Sequence, residues 1–226
     1  MVKSSTALVI LATALAVAAG CDRLYYGTMK KFGYEKRDIL IGRVRDARKA
    51  QKDAQEEFKS ALDRFREVVG TEGGKLENKY ETLNRELQRS EDRAKAVHDR
   101  VKAVSDVSED LFREWEKELG QYKNRAMRAE SERELRDTRR RTEALMASMR
   151  RAEKRIDPVL QPLRDRVLFL KHNLNAKSLG ALSKELSAVE GNVDSLVADL
   201  QQSITEADAF LAEMEKEQQA AGKPAP

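Results

Sequence analysis

The fold is decided by the stretch LIGRVRDARKAQKDAQEEFKSALDRFREV, which runs from Leu40 to Val68. Its apolar and small residues recur at alternating steps of four and three, which is the heptad pattern of a coiled-coil seam. Gln51 fills the one gap in this pattern. A narrow apolar seam needs a partner helix to cover it. The seam positions of this first predicted helix are Leu40, Val44, Ala47, Ala54, Phe58, Ala61, Phe65 and Val68.

Heptad spacing returns in four further stretches, from Leu76 to Tyr122, from Leu135 to Ile156, from Leu160 to Leu174 and from Leu179 to Met214. Charged residues make up 36% of the chain and aromatic residues only 5%. This composition is typical of long helices rather than of a thick globular core. We therefore expect an all-α fold, an elongated antiparallel coiled coil or helical bundle of three to five helices spanning residues 38–220.

Turn signals divide this helical region. Glycines in Gly70–Gly74 end the first helix, because they adopt the left-handed conformations that a helix end requires. Asp157-Pro158 predicts a further end, since the residue before proline disfavours helical geometry. Asp106 and Glu109 resemble a capping box, which makes a break between Ser105 and Glu109 plausible within the second helical region. Asn173–Asn175 is a candidate hinge, and residues 221–226 are predicted to be a disordered tail.

The N-terminus has the layout of a bacterial lipoprotein signal. Lys3 precedes an almost wholly apolar run from Thr6 to Ala19, which is too short to span a bilayer. Ala19-Gly20-Cys21 resembles the small pair and cysteine at which such signals are cleaved, although Ala18 replaces the usual larger aliphatic residue. Residues 1–20 are then a signal peptide, and Cys21 carries diacylglycerol and a further acyl group such as palmitate. Each acyl chain contributes about 0.8 kcal/mol per buried methylene.

Two alternatives remain for this segment: an ordinary signal peptide with an incidental cysteine, or an uncleaved N-terminal helix. Cys21 is the only cysteine, so the chain cannot form an intramolecular disulfide. The adjacent Asp22 resembles a sorting signal for retention in the inner membrane, which slightly favours that membrane over the outer one.

Residues 21–37 are predicted to be a lipidated tether in which aromatic and basic side chains alternate. Such side chains suit the headgroup region of a bilayer. The alternative is that the rings pack on the protein's own helices. The candidate membrane-interface residues are Tyr25, Tyr26, Lys30, Lys31 and Phe32.

The distribution of charge predicts which helices pair. Residues 123–155 contain twelve basic and six acidic residues, whereas residues 178–218 contain two basic and nine acidic residues. Two amphipathic helices of opposite charge should pack antiparallel, with their flanking charges fixing the register. The alternative is that Arg139-Arg140-Arg141 and Arg150-Arg151 bind an anionic partner, such as lipid headgroups or cell-wall polymer.

The sequence carries no recognisable catalytic motif. The glycines before Lys75 do not form a phosphate loop, because Val69 occupies the first glycine position and Leu76 the Ser/Thr position. His98 and His172, the only histidines, lack partners at metal-ligand spacing. No serine lies on a nucleophile elbow. We expect no enzymatic activity, no cofactor, no metal and no nucleic-acid or small-molecule substrate.

Phe112 and Trp115 share a helical face in the segment LFREWEKEL. Core packing is one interpretation of these two residues. The other is an anchor for a partner helix, a role that tryptophan often has at interaction hot spots.

Three segments resemble a family of proteobacterial lipoproteins, domain of unknown function 2959. They are YYGTMKKFGYEKRDIL at Tyr25–Leu40, LFREWEKEL at Leu111–Leu119 and VLFLKHNLNAKSLGAL at Val167–Leu182. The resemblance covers nearly the whole mature chain and implies a helical, exported protein. Some members carry a label as DNA-repair ATPases, which the failed phosphate loop and the export signal argue against.

These observations predict a lipid-anchored, periplasm-facing coiled-coil protein with a structural, spacing or protein-interaction role in the cell envelope. Its expected partners are the membrane, through the lipid on Cys21, and an unknown envelope protein or a second copy bound through the helix seams. The alternatives are a peripheral helical protein that binds membrane or cell-wall polymer and, less favoured, an ATPase-type enzyme.

Overall fold

Long helices make up nearly all of the described chain. The computed structural model describes the backbone of residues 7–71 and 73–220, and the side chains of residues 36–71, 73–175 and 177–220. No strand occurs in this part of the chain. The helices are α1 (Ala7–Gly70), α2 (Leu76–Leu119), α3 (Arg125–His172), α4 (Ala176–Lys184) and α5 (Leu186–Ala220).

Four of these helices form an antiparallel bundle. α1 packs against α2 and α5, and α3 packs against the same two helices, so α1 and α3 occupy diagonal corners. Ion pairs join Arg45, in the middle of α1, to Glu215 and join Arg66, near its C-terminus, to Glu190, which shows that α1 and α5 run in opposite directions. At 1.5 Å per residue the 44 residues of α2 extend about 66 Å, so the bundle is elongated.

The predicted heptad seam of the first helix is confirmed at every position from Leu40 to Val68. Each of its eight apolar side chains is buried, and Gln51 in the gap is fully buried as well. The later seam positions behave similarly, with Val97, Val104, Met149 and Leu196 all inaccessible to solvent. Burial of each large apolar side chain contributes about 1.5–3 kcal/mol, so the bundle is stabilised mainly along these seams.

The turn after α1 follows the glycine signal. Gly73 and Gly74 have φ angles of 80° and 81°, a left-handed conformation that side chains with a Cβ rarely adopt. Lys79 on the first turn of α2 donates a hydrogen bond from Nζ to the carbonyl of Thr71, 2.6 Å away. Because five residues suffice to reverse the chain, α2 packs directly back on α1.

The second turn lies at residues 120–124, not at the candidate break between Ser105 and Glu109. α2 continues through Ser105–Glu109 because Val104, Ser108 and Leu111 extend its buried stripe. The reversal instead follows Leu119, where Asn124 caps α3 by accepting hydrogen bonds from the amides of Ala126 and Met127. Tyr122, expected on the seam, lies in this turn and is 40% exposed.

The helix end predicted at Asp157-Pro158 is wrong, because α3 continues to His172 with Pro158 and Pro162 inside it. An interior proline costs about 3 kcal/mol, since it removes one helical hydrogen bond and crowds the preceding turn. Ile156, Val159 and Leu160 remain on one buried stripe across the proline. Together with Val167 and Leu170, which are buried beyond Pro162, they offset the cost of both prolines, so packing overrides the local preference.

The remaining boundaries differ from the predictions in smaller ways. Asn175 caps α4 by accepting a hydrogen bond from the amide of Ser178, and the predicted final helix is divided at Glu185 into α4 and α5. Leu174, expected to continue the seam, is exposed. The backbone of α1 begins at Ala7 and therefore includes most of the predicted signal peptide and tether, whereas the predicted tail at 221–226 lies outside the described residues.

Candidate functional site

The predicted anchor residues lie in α1, in the part whose side chains the structure does not describe. This applies to the lipidation and sorting residues Cys21 and Asp22 and to the predicted membrane-interface residues Tyr25, Tyr26, Lys30, Lys31 and Phe32. Their roles therefore stay predictions. A search of the described residues finds no helix that is long and apolar enough to cross a membrane.

Phe112 and Trp115 are both part of the bundle core. Each side chain is 8% exposed, and the indole Nε1 of Trp115 donates a hydrogen bond to Ser131 Oγ at 2.8 Å. The guanidinium group of Arg37 lies 4.1 Å from the Trp115 ring centroid, and that of Arg139 lies 5.0 Å from the Phe112 ring centroid. The structure therefore supports the core-packing interpretation, because neither ring presents the exposed face that a partner anchor needs.

The basic run and the acidic C-terminal region pair with each other, as the charge distribution predicts. Arg141 contacts Glu213 and Glu217 on α5, and Arg155 Nε lies 2.8 Å from a carboxylate oxygen of Asp199. Nearer the C-terminus of α3, Arg166 pairs with Glu185.

The arginine clusters are also engaged within the bundle. Arg139 pairs with Glu116 on α2, and Arg140 pairs with Asp137 on its own helix. Arg150 donates a hydrogen bond to Ser105, and Arg151 donates one to Ser148. The carboxylates beside Arg139 and Arg140 offset their positive charge, whereas Arg150 and Arg151 contact neutral hydroxyl groups and keep theirs.

The candidate chemical motifs do not converge on a reactive site. Lys75 follows two glycines in a helix-to-helix turn, so the interpretation of Gly70–Lys75 as a turn is confirmed. His98 Nδ1 lies 2.5 Å from a carboxylate oxygen of Glu153 on the exposed surface, and His172 is exposed at the end of α3. No group of three potential metal ligands occurs among the described residues.

The bundle core contains a small cavity with polar groups in its wall. Its volume is about 20 Å³, and it lies among side chains that include Phe58, Glu86, Ser90 and Val193. Ser90 Oγ is buried and has no hydrogen-bond partner among the described residues. The cavity has room for one water molecule but is far smaller than the pockets that hold cofactors.

A shallow surface groove next to this region is lined by charged side chains. It measures about 400 Å³ and includes Asp53, Glu56, Glu57 and Arg93. Asp53 is already paired with Lys49 at 2.7 Å and with Arg93 at 3.5 Å. The groove therefore presents a largely neutralised surface rather than a concentrated charge that would attract an ion.

Glu57 on α1 and Glu86 on α2 form a carboxyl pair that sequence reasoning missed. Burial raises the pKa of Glu57, and the negative charge of Glu86 raises it further, against the opposing charges of Arg89 and Arg93. One oxygen of each carboxylate, Glu57 Oε1 and Glu86 Oε2, has no hydrogen-bond partner among the described residues. A protonated Glu57 can also donate an O–H hydrogen bond to Glu86, which adds to the effect of burial in raising the pKa of Glu57.

We expect Glu57→Gln to stabilise the protein at neutral pH. Because the pKa of Glu57 is higher in the folded chain than its ordinary value of 4.5, wild-type stability declines as the pH rises from that value through the raised pKa. The variant lacks this ionisation, so its gain in the free energy of unfolding should be largest at neutral pH. We expect less than about 1 kcal/mol, because the pair is partly solvated.

Urea denaturation over a range of pH values tests this expectation. The matched control is Glu56→Gln, an exposed neighbour on the same helix turn. A gain that is equal at acid and neutral pH, or equal in both variants, would contradict a carboxyl repulsion at Glu57.

The fold and its internal charge pairing define a class: an antiparallel four-helix bundle whose lateral surfaces are crossed by ion pairs. A family model described as a protein of unknown function (DUF2959) matches residues 25–214. The chain belongs to this family. The match confirms the resemblance to domain of unknown function 2959 and covers most of the bundle. No curated protein matches the chain.

Proposed function

We propose that this protein is a lipid-anchored component of the cell envelope that acts by binding or spacing rather than by catalysis. One observation carries the proposal: the only cysteine, Cys21, directly follows an apolar run that ends in Ala19-Gly20. A thioether-linked lipid at this position, together with a further acyl chain, provides the two membrane-binding signals that stable anchoring requires.

The helical architecture supports a spacing role. α1 extends from before Cys21 to Gly70, so the far end of the bundle lies about 70 Å along the helix from the lipid. Several ion pairs join neighbouring helices of the bundle, which suits a rigid element more than a site for chemistry. A second copy or an envelope protein remains the expected partner.

The test is the chemical state of the mature N-terminus. We expect mass spectrometry to find a chain that begins at Cys21 and carries lipid, and radiolabelled palmitate to be incorporated. Cys21→Ser should abolish incorporation and accumulate a precursor that retains residues 1–20, because the thiol is the attachment point. An unmodified mature N-terminus, or palmitate labelling that persists in Cys21→Ser, would contradict the proposal.

Asp22→Ser is the matched control for the same experiment. It leaves Cys21 in place, so lipidation should persist while the distribution between inner and outer membranes shifts towards the outer. Retention of the wild-type distribution would remove the proposed sorting role of Asp22 without affecting the lipid anchor.

A further inference from the structure

Three large apolar side chains are exposed at one end of the bundle. They are Leu168, Phe169 and Leu174, which are 55%, 45% and 39% exposed and lie within seven residues of one another. We call residues 168–184, which form the C-terminus of α3, the turn and α4, the distal tip. The other exposed large apolar residues of the described chain, Ile39, Tyr122 and Met127, lie towards the opposite end.

The distal tip is also cationic. Residues 168–184 contain Lys171, Lys177 and Lys184 and no acidic residue, in a chain in which 39 of 226 residues are acidic. Among the described residues none of these lysines takes part in an ion pair, whereas the arginines of α3 largely do. The nearest acidic residue on the C-terminal side, Glu185, is paired with Arg166.

The combination of exposed apolar side chains with lysines lacking ionic partners identifies the kind of surface that the tip fits. We propose that the distal tip binds the surface of an anionic lipid bilayer, with Leu168, Phe169 and Leu174 inserted at the headgroup boundary. Lysines near such a surface are attracted to its anionic headgroups. Two copies meeting tip to tip would bring their lysines together, and residues 168–184 contain no acidic side chain to pair with them, which disfavours a second copy as the occupant.

The position of the distal tip determines which membrane it can contact. Chain direction places the tip at the Gly70 end of α1, away from Cys21. If Cys21 is lipidated as proposed, the tip would contact a second membrane, or a distant part of the same one. That consequence rests on the proposed function, whereas binding of the tip to lipid does not.

A dye placed at the tip tests the proposal directly. The protein used is the chain from residue 21, its mature form under the proposed function, with Cys21→Ser so that no lipid is present. Ala181→Cys, on the exposed surface of α4, receives an environment-sensitive fluorophore, and Gln121→Cys at the opposite end is the matched position. On vesicles of phosphatidylcholine and phosphatidylglycerol we expect a blue shift at position 181 and little change at position 121.

Two comparisons make the result specific. The double substitution Leu168→Ser with Phe169→Ser should lower vesicle affinity about tenfold or more, because two apolar side chains no longer enter the bilayer. Met127→Ser, which replaces an apolar residue that is 58% exposed at the other end, should leave affinity unchanged. Vesicles of phosphatidylcholine alone should abolish most of the shift, because they carry no net negative charge. High salt should do the same, because the screening length falls to about 3 Å at 1 M.

The proposal is overturned by the absence of a shift at position 181, by equal shifts at both positions, or by equal affinity of the tip variant and Met127→Ser. It is also overturned if analytical ultracentrifugation shows a concentration-dependent dimer that the tip substitutions abolish, while vesicles have no effect. That result would assign the tip to a second copy of the chain. None of these outcomes depends on whether the wild-type protein is lipidated.

Discussion

Replacing Trp115 with alanine should lower the free energy of unfolding by about 3–5 kcal/mol, the usual cost of truncating a large buried ring. The Trp115 ring connects three helices: it lies on α2, Arg37 of α1 covers its face, and Ser131 of α3 accepts the indole hydrogen bond. Truncation would open a cavity beside the α2–α3 turn and leave the nearly buried Ser131 hydroxyl without this partner. Chemical denaturation followed by circular dichroism measures the loss.

Two further variants separate the contributions at this site. Trp115→Phe keeps an aromatic ring but removes the N–H donor, so we expect a loss of about 1–3 kcal/mol. Tyr122→Ala removes a 40%-exposed ring at the same end of the bundle and should change stability by less than about 0.5 kcal/mol. If Trp115→Ala were as stable as Tyr122→Ala, the ring would be free for a partner and the core-packing interpretation would fail.

The seams were predictable because burial in a bundle repeats with the period of the helix. Leu40, Phe58 and Val97 are buried because they occupy regularly spaced positions on the side of a helix that faces the core. Opposite charges on neighbouring helices were also predictable, since Arg141 and Arg155 belong to a basic run and Asp199 and Glu217 belong to an acidic one.

The positions at which the helices end depend on the energy of tertiary packing, which the local sequence does not show. Pro158 is a strong local signal, yet Ile156 and Leu160 are buried on either side of it and hold α3 together. At the α2–α3 reversal the local signal is weaker, a single Gly120 and the capping residue Asn124, and the apolar pattern merely slips in phase. Tertiary packing determines both the continuation of α3 through Pro158 and the turn between α2 and α3. Neither feature could therefore be predicted from its own segment of sequence.

The carboxyl pair and the exposed apolar residues of the distal tip could not be predicted from local sequence either. Glu57 and Glu86 are 29 residues apart and are ordinary carboxylates by sequence; only the pairing of α1 with α2 brings them together. Leu168 and Phe169 carry no signal of exposure, because they stand in an apolar run next to the buried Val167 and Leu170. Their exposure follows from the rotation of α3 about its axis, which places two of four consecutive apolar residues outside the bundle.

Replacing the buried polar pair formed by Gln51 of α1 and Ser203 of α5 should also have a large effect on stability. This side chain interrupts the apolar seam of α1, is fully buried, and accepts a hydrogen bond at Oε1 from Ser203 Oγ of α5 at 3.0 Å. Its Nε2 has no partner among the described residues. A buried polar group left without a partner costs about 1–3 kcal/mol, so Gln51→Leu combined with Ser203→Ala should raise the free energy of unfolding by about that amount.

The single variant Ser203→Ala should have the opposite sign. It removes the one hydrogen bond of the Gln51 amide and leaves both of its polar ends buried, so we expect a loss of about 1–3 kcal/mol. Urea denaturation should therefore rank the double variant above wild type and Ser203→Ala below it. A double variant less stable than wild type would mean that a buried water satisfies Nε2.

The polar pair also matches only one register of α1 against α5, so the stabilised double variant should populate additional oligomeric or slipped forms, measured by sedimentation velocity.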